Sequence, residues 1–166
     1  MHPGEKPPTR DLTTFSIARE TPLQDDVRAM VEALNDYLVP LSPREFQFQL
    51  TVDQMAGPET TVFVVRDEAG MPVGMGALKR HGDAFGEVKR MFVVPRLRGS
   101  GVGGMILDAI EAEARALDLP LLRLETGSTP GFEPAWAVYR RGGYTECGAF
   151  ADYPDSGYNV FYEKTL

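Results

Sequence analysis

Apolar residues along this chain change their period several times, and each change marks an element. Residues 13–20 (TTFSIARE) alternate as a strand does. Thr21-Pro22 and Asp25-Asp26 then suit the opening of a helix, Thr21 as its cap and the two acids at its positive end. Val27, Met30, Val31, Leu34 and Leu38 share one face of that helix, and Pro40 stops it. Ser42-Pro43-Arg44-Glu45 has the form of a second helix start, with Phe46, Leu50 and Met55 as its apolar side. Residues 61–66, 73–80 and 86–94 read as three strands on short turns, an antiparallel meander ended by Pro95. Helical spacing returns over residues 102–118, with Val102, Ile106, Ile110 and Leu117 along one face and Glu111, Glu113 and Arg115 off it. A strand at 121–125, a short helix at Glu133–Arg141 closed by Gly142-Gly143, and two antiparallel strands at 144–147 and 158–164 complete the chain. The order β, α, α, β, β, β, α, β, α, β, β predicts an α/β fold with one mixed sheet and helices on its faces.

Length and composition narrow the function. The 166 residues suit a single domain at 13–166 behind a polar, proline-containing tail at 1–12, which reads as flexible. A net charge of −7 argues against a general nucleic-acid binder, which needs a basic face for phosphates. Cys147 is the only cysteine, so no intrachain disulfide can form, and a cytoplasmic location is the simple expectation. The two histidines, His2 and His81, lie far apart, and no Cys/His cluster has metal-site spacing, so no metal is expected. No apolar run approaches membrane-spanning length, and no membrane partner is expected.

The segment Pro95-Arg96-Leu97-Arg98-Gly99-Ser100-Gly101-Val102-Gly103-Gly104 carries the chemistry. It leaves a strand, is rich in glycine and opens a helix. Glycines let a ligand approach the backbone closely, and the free N–H groups and dipole of a helix start favour phosphate. Arg96 and Arg98 add positive charge in an acidic chain. The alternative is a flexible turn and nothing more. A P-loop would need Gly-Lys-Ser/Thr, which is absent. The dinucleotide fingerprint is matched literally by Gly99-x-Gly101-x-x-Gly104, with Glu125 where a ribose-binding acid would stand. Against it, four residues separate the strand from the first glycine, the preceding strands look antiparallel, and only 41 residues follow Glu125. Dinucleotide binding stays as an alternative.

Arg98-x-x-Gly101-x-Gly103 resembles the acetyl-CoA motif of the GNAT superfamily, Gln/Arg-x-x-Gly-x-Gly/Ala. Residues 87–93 (EVKRMFV) resemble the family's fourth strand, 122–127 (LRLETG) its fifth, and 137–144 (AVYRRGGY) the helix that usually reads leucine-tyrosine before a Gly-Tyr or Gly-Phe pair. The resemblance implies a sheet of about seven strands flanked by about four helices, with parallel strands 4 and 5 splayed apart. It implies that Met91, Phe92 and Val93 pair with pantetheine, and that the amides from Arg98 or Gly99 through Ser100, Gly101, Val102 and Gly103 hold the pyrophosphate of acetyl-CoA. The family often has asparagine after strand 5; here Gly127-Ser128-Thr129 follows.

The implied reaction moves acetyl to a primary amine, by expectation one on a small molecule, with a protein N-terminus or lysine as the alternative acceptor. A non-catalytic acyl-CoA sensor is a further alternative, disfavoured by the presence of both Glu87 and Tyr139. An alkyl amine with a pKa near ~10 must lose a proton. Glu87 is the first candidate base, with a salt bridge to Lys89 or Arg90 as its structural alternative; Glu125 is the second, with an ion pair to Arg123 as its alternative. Tyr139 resembles the family's general acid, the alternative being a core tyrosine packed with Trp136. Alternation sends Lys89 and Arg90 to opposite faces, one of them facing the acceptor. Lys89, Glu125 and Tyr153 are candidate substrate contacts, and a homodimer is left open.

Overall fold

The structure is a computed structural model and describes residues 12–166. Most of the tail predicted at 1–12, with His2, lies outside the described residues; Leu12 opens a 3-10 turn, Leu12–Thr14, packed against the core. A seven-stranded sheet runs in the order β1-β2-β3-β4-β5-β7-β6. The strands are β1 (Ser16–Arg19), β2 (Thr60–Arg66), β3 (Pro72–His81), β4 (Phe85–Val93), β5 (Leu121–Gly127), β6 (Thr145–Cys147) and β7 (Asn159–Thr165). Helices α1 (Asp25–Leu38), α2 (Val52–Met55), α3 (Val102–Ala116) and α4 (Glu133–Arg141) cover its faces. All strand pairs are antiparallel except β4 with β5.

The predicted periods place the two cores. On one face, Val102, Ile106 and Ile110 of α3 pack with Leu122, Leu124, Tyr139 and Tyr162. On the other, Val27, Met30, Val31 and Leu34 of α1 pack with Val62, Val64, Met75 and Phe92. Both cores lean on the sheet, so a residue's parity in its strand decides which one it joins.

Three local expectations need correction. Thr21 does not cap α1: its Oγ1 accepts from the Leu23 amide, and the helix begins at Asp25. Residues 42–46 form only a 3-10 turn, Arg44–Phe46, and the true helix start is Thr51, whose capping box with Gln54 satisfies both groups. Glu111 and Glu113 are buried rather than on an outer face. Lys164 Nζ reaches Glu111 at 2.9 Å and Arg19 pairs with Glu113, so later and earlier strands supply the cations that helical periodicity could not foresee.

Gly76 shows how tightly β3 meets α3. A Cβ there would stand 2.5 Å from Ile106 Cγ2 and 2.7 Å from Met91 Sδ. Gly76→Ala is therefore expected to cost about 1–3 kcal/mol by overpacking. Denaturant unfolding measures this, and an unchanged midpoint would mean that α3 sits further from the sheet than described.

Candidate active site

Strand β4 shapes the site by leaving its neighbours. It pairs with β5 only at Gly86↔Leu122 and Glu87↔Arg123, after which the two strands diverge. On its other edge the register with β3 passes from Ala77↔Lys89 to Met75↔Phe92, so Arg90 and Met91 oppose Gly76 alone. This is a β-bulge, and Arg90 takes φ 56° to make it. The Val94 amide donates to Val73 O of β3. Alternation along the strand then turns the amides of Val93 and Met91 away from β3, toward the split. A cavity of about 420 Å³ opens there, lined by both strands, the 98–104 loop, α1 and α4.

The loop behind β4 is an amide cradle. Leu97 N donates to Val94 O, Arg98 N to Pro95 O, Ser100 N to Leu97 O and Met105 N to Gly101 O, while Val102 N is 3.4 Å from Ser100 Oγ. Among the described residues the amides of Gly99, Gly101, Gly103 and Gly104 have no protein acceptor, and these four residues line the cavity. Gly101, the N-cap of α3, takes φ 99° and supplies no capping side chain. The helix therefore presents its positive end and its free amides to the cavity. The Arg98 guanidinium lies 4.7 Å from the Tyr37 ring centroid, and Arg141 of α4 also lines the cavity. Three predicted contacts change, because the Arg98, Ser100 and Val102 amides are already bonded, and Gly104 joins the cradle. Arg96 turns to Asp67, 3.7 Å away.

The "Acetyltransferase (GNAT) domain" family matches residues 58–146. A curated relative, "IAA acetyltransferase" of Azospirillum brasilense, is 41% identical over 93% of this chain and 100% of its own. The chain belongs to the GNAT family. A solved Klebsiella pneumoniae chain assigned to the acyl-CoA N-acyltransferases is 34% identical with a TM-score of 0.76, covering 92% of this chain and 97% of that one. A GNAT acetyltransferase from Elizabethkingia anophelis, solved with acetyl-CoA bound, shares the fold at 16% identity and TM-score 0.67, over 93% of this chain and 99% of its own.

This GNAT protein is an acetyltransferase, and acetyl-CoA is its cosubstrate. The residues present fit that group: an uncapped helix start, four free glycine amides, Arg98 and Arg141 for phosphates, and an unpaired β4 edge for a linear amide chain. The dinucleotide alternative is overturned, because β1 to β4 are antiparallel without helical crossovers and a mixed GNAT sheet surrounds the loop.

On the acceptor side the predicted residues separate. Glu87 is 2% exposed and does not line the cavity. His81 Nε2 lies 2.8 Å from its Oε1, while Lys89 Nζ, at 3.2 Å, and the Tyr153 hydroxyl both donate to its Oε2. Tyr153 is thus held as a donor to Glu87, and burial followed by the Glu87 charge pushes its phenol pKa up. Lys89 lines the cavity, yet its ammonium is committed to Glu87, Tyr153 and Phe48 O. Glu125 does line the cavity. Its partner is Asn159, whose Nδ2 donates to Glu125 Oε1 at 2.5 Å and to Phe46 O at 3.1 Å; Arg123 instead pairs with Glu163. Burial raises the Glu125 pKa, opposed by the Asn159 hydrogen bond and the Lys89 charge.

Tyr139 is buried but lines the same cavity, and among the described residues its hydroxyl has no protein hydrogen-bond partner. Burial, then the Glu125 charge, raises its pKa. Its ring packs with Tyr144 and Tyr162, not Trp136, which donates from Nε1 to Gly127 O at the end of β5. Ser128 and Thr129, in place of the family's asparagine, bind Gly157 O and Leu41 O and so tie the roof of the site together. Sequence reasoning missed Asn159, Tyr37 and Arg141, which come from distant segments and carry no local motif. It also misplaced Lys89 and Arg90: the bulge turns both toward α1 and its following loop, where Lys89 meets Phe48 O and Arg90 meets Asn35 Oδ1.

Gly104 offers a clean test of the cradle, since a Cβ there meets nothing within 4 Å. Gly101→Val would be strained by its φ, and a Cβ at Gly103 would press on Val138 at 3.2 Å. Gly104→Glu is expected to weaken acetyl-CoA binding at least about tenfold by placing a carboxylate beside phosphate, while Gly104→Ala binds nearly normally. Both should melt at or above the parent temperature, because glycine costs a helix about 1 kcal/mol relative to alanine. Calorimetry and thermal melts read both quantities; unchanged affinity in Gly104→Glu would remove the phosphates from this loop.

Proposed function

We propose that the protein acetylates a primary amine on a small molecule by direct attack within a ternary complex, with Glu125 as base and Tyr139 as donor to the leaving sulfur. The carrying observation is that Glu125 and Tyr139 line one cavity at the β4–β5 split, while Glu87 stands outside it. Bound acetyl-CoA supplies an acetyl group activated as a thioester. Met91, Phe92 and Val93 hold its pantetheine along the open edge of β4, and the amides of Met91 and Val93 face the oxygen on which negative charge develops. Glu125 takes a proton from the substrate ammonium, directly or through water, and the neutral amine so formed attacks the thioester carbon. As the nitrogen bonds to carbon and the carbon–sulfur bond breaks, Tyr139 offers its hydroxyl to the sulfur, and the second proton of the nitrogen passes to the departing thiolate, which leaves as the CoA thiol. The raised pKa of Tyr139 makes full proton transfer from it more costly, so the role assigned to it is hydrogen bonding to the thiolate.

Cys147 does not line the cavity, which supports direct transfer over an acetylated cysteine. Tyr37 supports a small acceptor over a polypeptide: its hydroxyl donates to Gly131 O at 2.6 Å and bridges α1 to the segment before α4, roofing the site. The name of the Azospirillum relative, "IAA acetyltransferase", points in the same direction. A cytoplasmic site of action belongs to the same reading, supported by the single free thiol.

Two substitutions test the roles. Tyr139→Phe should lower kcat about 100-fold or more while leaving acetyl-CoA affinity and melting temperature nearly unchanged, since no protein partner is lost. A fully active, folded variant refutes the donor role. For Glu125, kcat/KM should rise with pH through a carboxyl pKa above the ordinary 4.5, and Glu125→Gln should abolish that limb. A raised carboxyl pKa contributes stability below the unfolded value, and that is lost as pH rises through the folded value. Glu125→Gln should therefore be at least as stable as the parent at pH ~8. A limb that survives in Glu125→Gln assigns the base elsewhere.

A further inference from the structure

Arg90 has no business in this cavity unless something negative joins it there. Its side chain is 7% exposed and lines the cavity wall. Among the described residues its one hydrogen bond runs from Nη2 to the neutral amide oxygen of Asn35, and its Nε is buried with no partner at all. Among the described residues no carboxylate lies within ion-pair distance of it, whereas the buried Glu87 beside it is matched by Lys89 and His81. Desolvation pushes the Arg90 pKa down to about 10, with no acidic neighbour to restore it. The group is therefore still a cation at neutral pH, held at a cost that no protein anion offsets.

The backbone puts it there on purpose. Ordinary alternation would have turned Arg90 away from Lys89; the bulge, at φ 56°, brings both to the acceptor side. Arg90 also precedes Met91, whose amide faces the split. A guanidinium with unused N–H groups suits a planar carboxylate, which it can bind through two parallel hydrogen bonds. The nearby wall is apolar, formed by Leu34, Leu38, Phe46, Phe48 and Phe92.

We infer that Arg90 is a specificity-determining residue and that the acceptor is an apolar amino carboxylate, its carboxylate bound by Arg90 and its amine directed at the split. This rests on the acetyltransferase reading above and refines its substrate class.

The test uses matched pairs: phenylalanine, leucine and tryptophan, each against its C-terminal amide, with the CoA-loaded protein. Binding is followed by calorimetry and transfer by release of CoA thiol from acetyl-CoA. The wild-type protein should bind at least one carboxylate ~10-fold or more tighter than its amide, the scale of a lost charge-assisted pair. Arg90→Gln should erase that preference by raising the Kd for the carboxylate. It should melt no lower than wild type, because it removes an unmatched buried charge. Asn35→Asp, which gives Arg90 a carboxylate of its own, should erase the preference as well while retaining the arginine. Equal or weaker binding of the carboxylates across the panel, or a preference that survives Arg90→Gln, overturns the inference. Its failure is separable from that of the acetyltransferase reading: amides acetylated as well as acids sink only the carboxylate site, whereas Arg90-dependent binding with no thiol released from any pair sinks small-amine transfer and leaves the site standing.

Discussion

Everything in this structure depends on β4 losing a neighbour. A buried strand edge with unpaired amides and carbonyls costs about 1–3 kcal/mol for each group left unsatisfied. Most folds avoid it by continuing the ladder. Here β5 pairs with β4 for two residues and then leaves, and the open edge borders the cavity. A parallel start fixes the two strands at one end, and α3 and α4 on one face with α1 on the other keep them from closing. A linear ligand carrying amides can complete that edge, the part proposed above for the pantetheine of acetyl-CoA.

The bulge at Arg90 follows from the same constraint. An extra residue on β4 opposite Gly76 adds twist, helps the strand swing away from β5, and re-aims two side chains. Gly76 is required opposite it because Ile106 and Met91 already fill the space a Cβ would take. One backbone irregularity thus opens the split and sets the charges that face it.

Beside those charges the labour is divided between two carboxylates. Glu87, Lys89, His81 and Tyr153 satisfy one another and form a rigid floor. Glu125, restrained by the neutral Asn159, keeps access to the cavity and a raised pKa. Partner choice, rather than residue type, separates the glutamate that is locked in ion pairs from the one that faces the cavity.

What the sequence determined by itself was local. Apolar period placed α1, α3, α4 and all seven strands, because helix and strand faces must be buried at 3.6- and 2-residue spacing. The loop from Arg98 to Gly104 was legible because glycines, a helix start and arginines act together within ten residues. Tyr139 was legible because its helix carries a family pattern. Tertiary structure decided the rest. It chose Glu125 over Glu87 for the cavity by bringing Asn159 to one and Lys89, His81 and Tyr153 to the other. It buried Glu111 and Glu113 by supplying Lys164 and Arg19 from strands at opposite ends of the chain. It also turned Arg90 inward through a bulge that no alternation pattern announces. Each of these depends on contacts between segments far apart in sequence, and the energy of a buried charge is set by what surrounds it in space, which the order of residues alone does not contain.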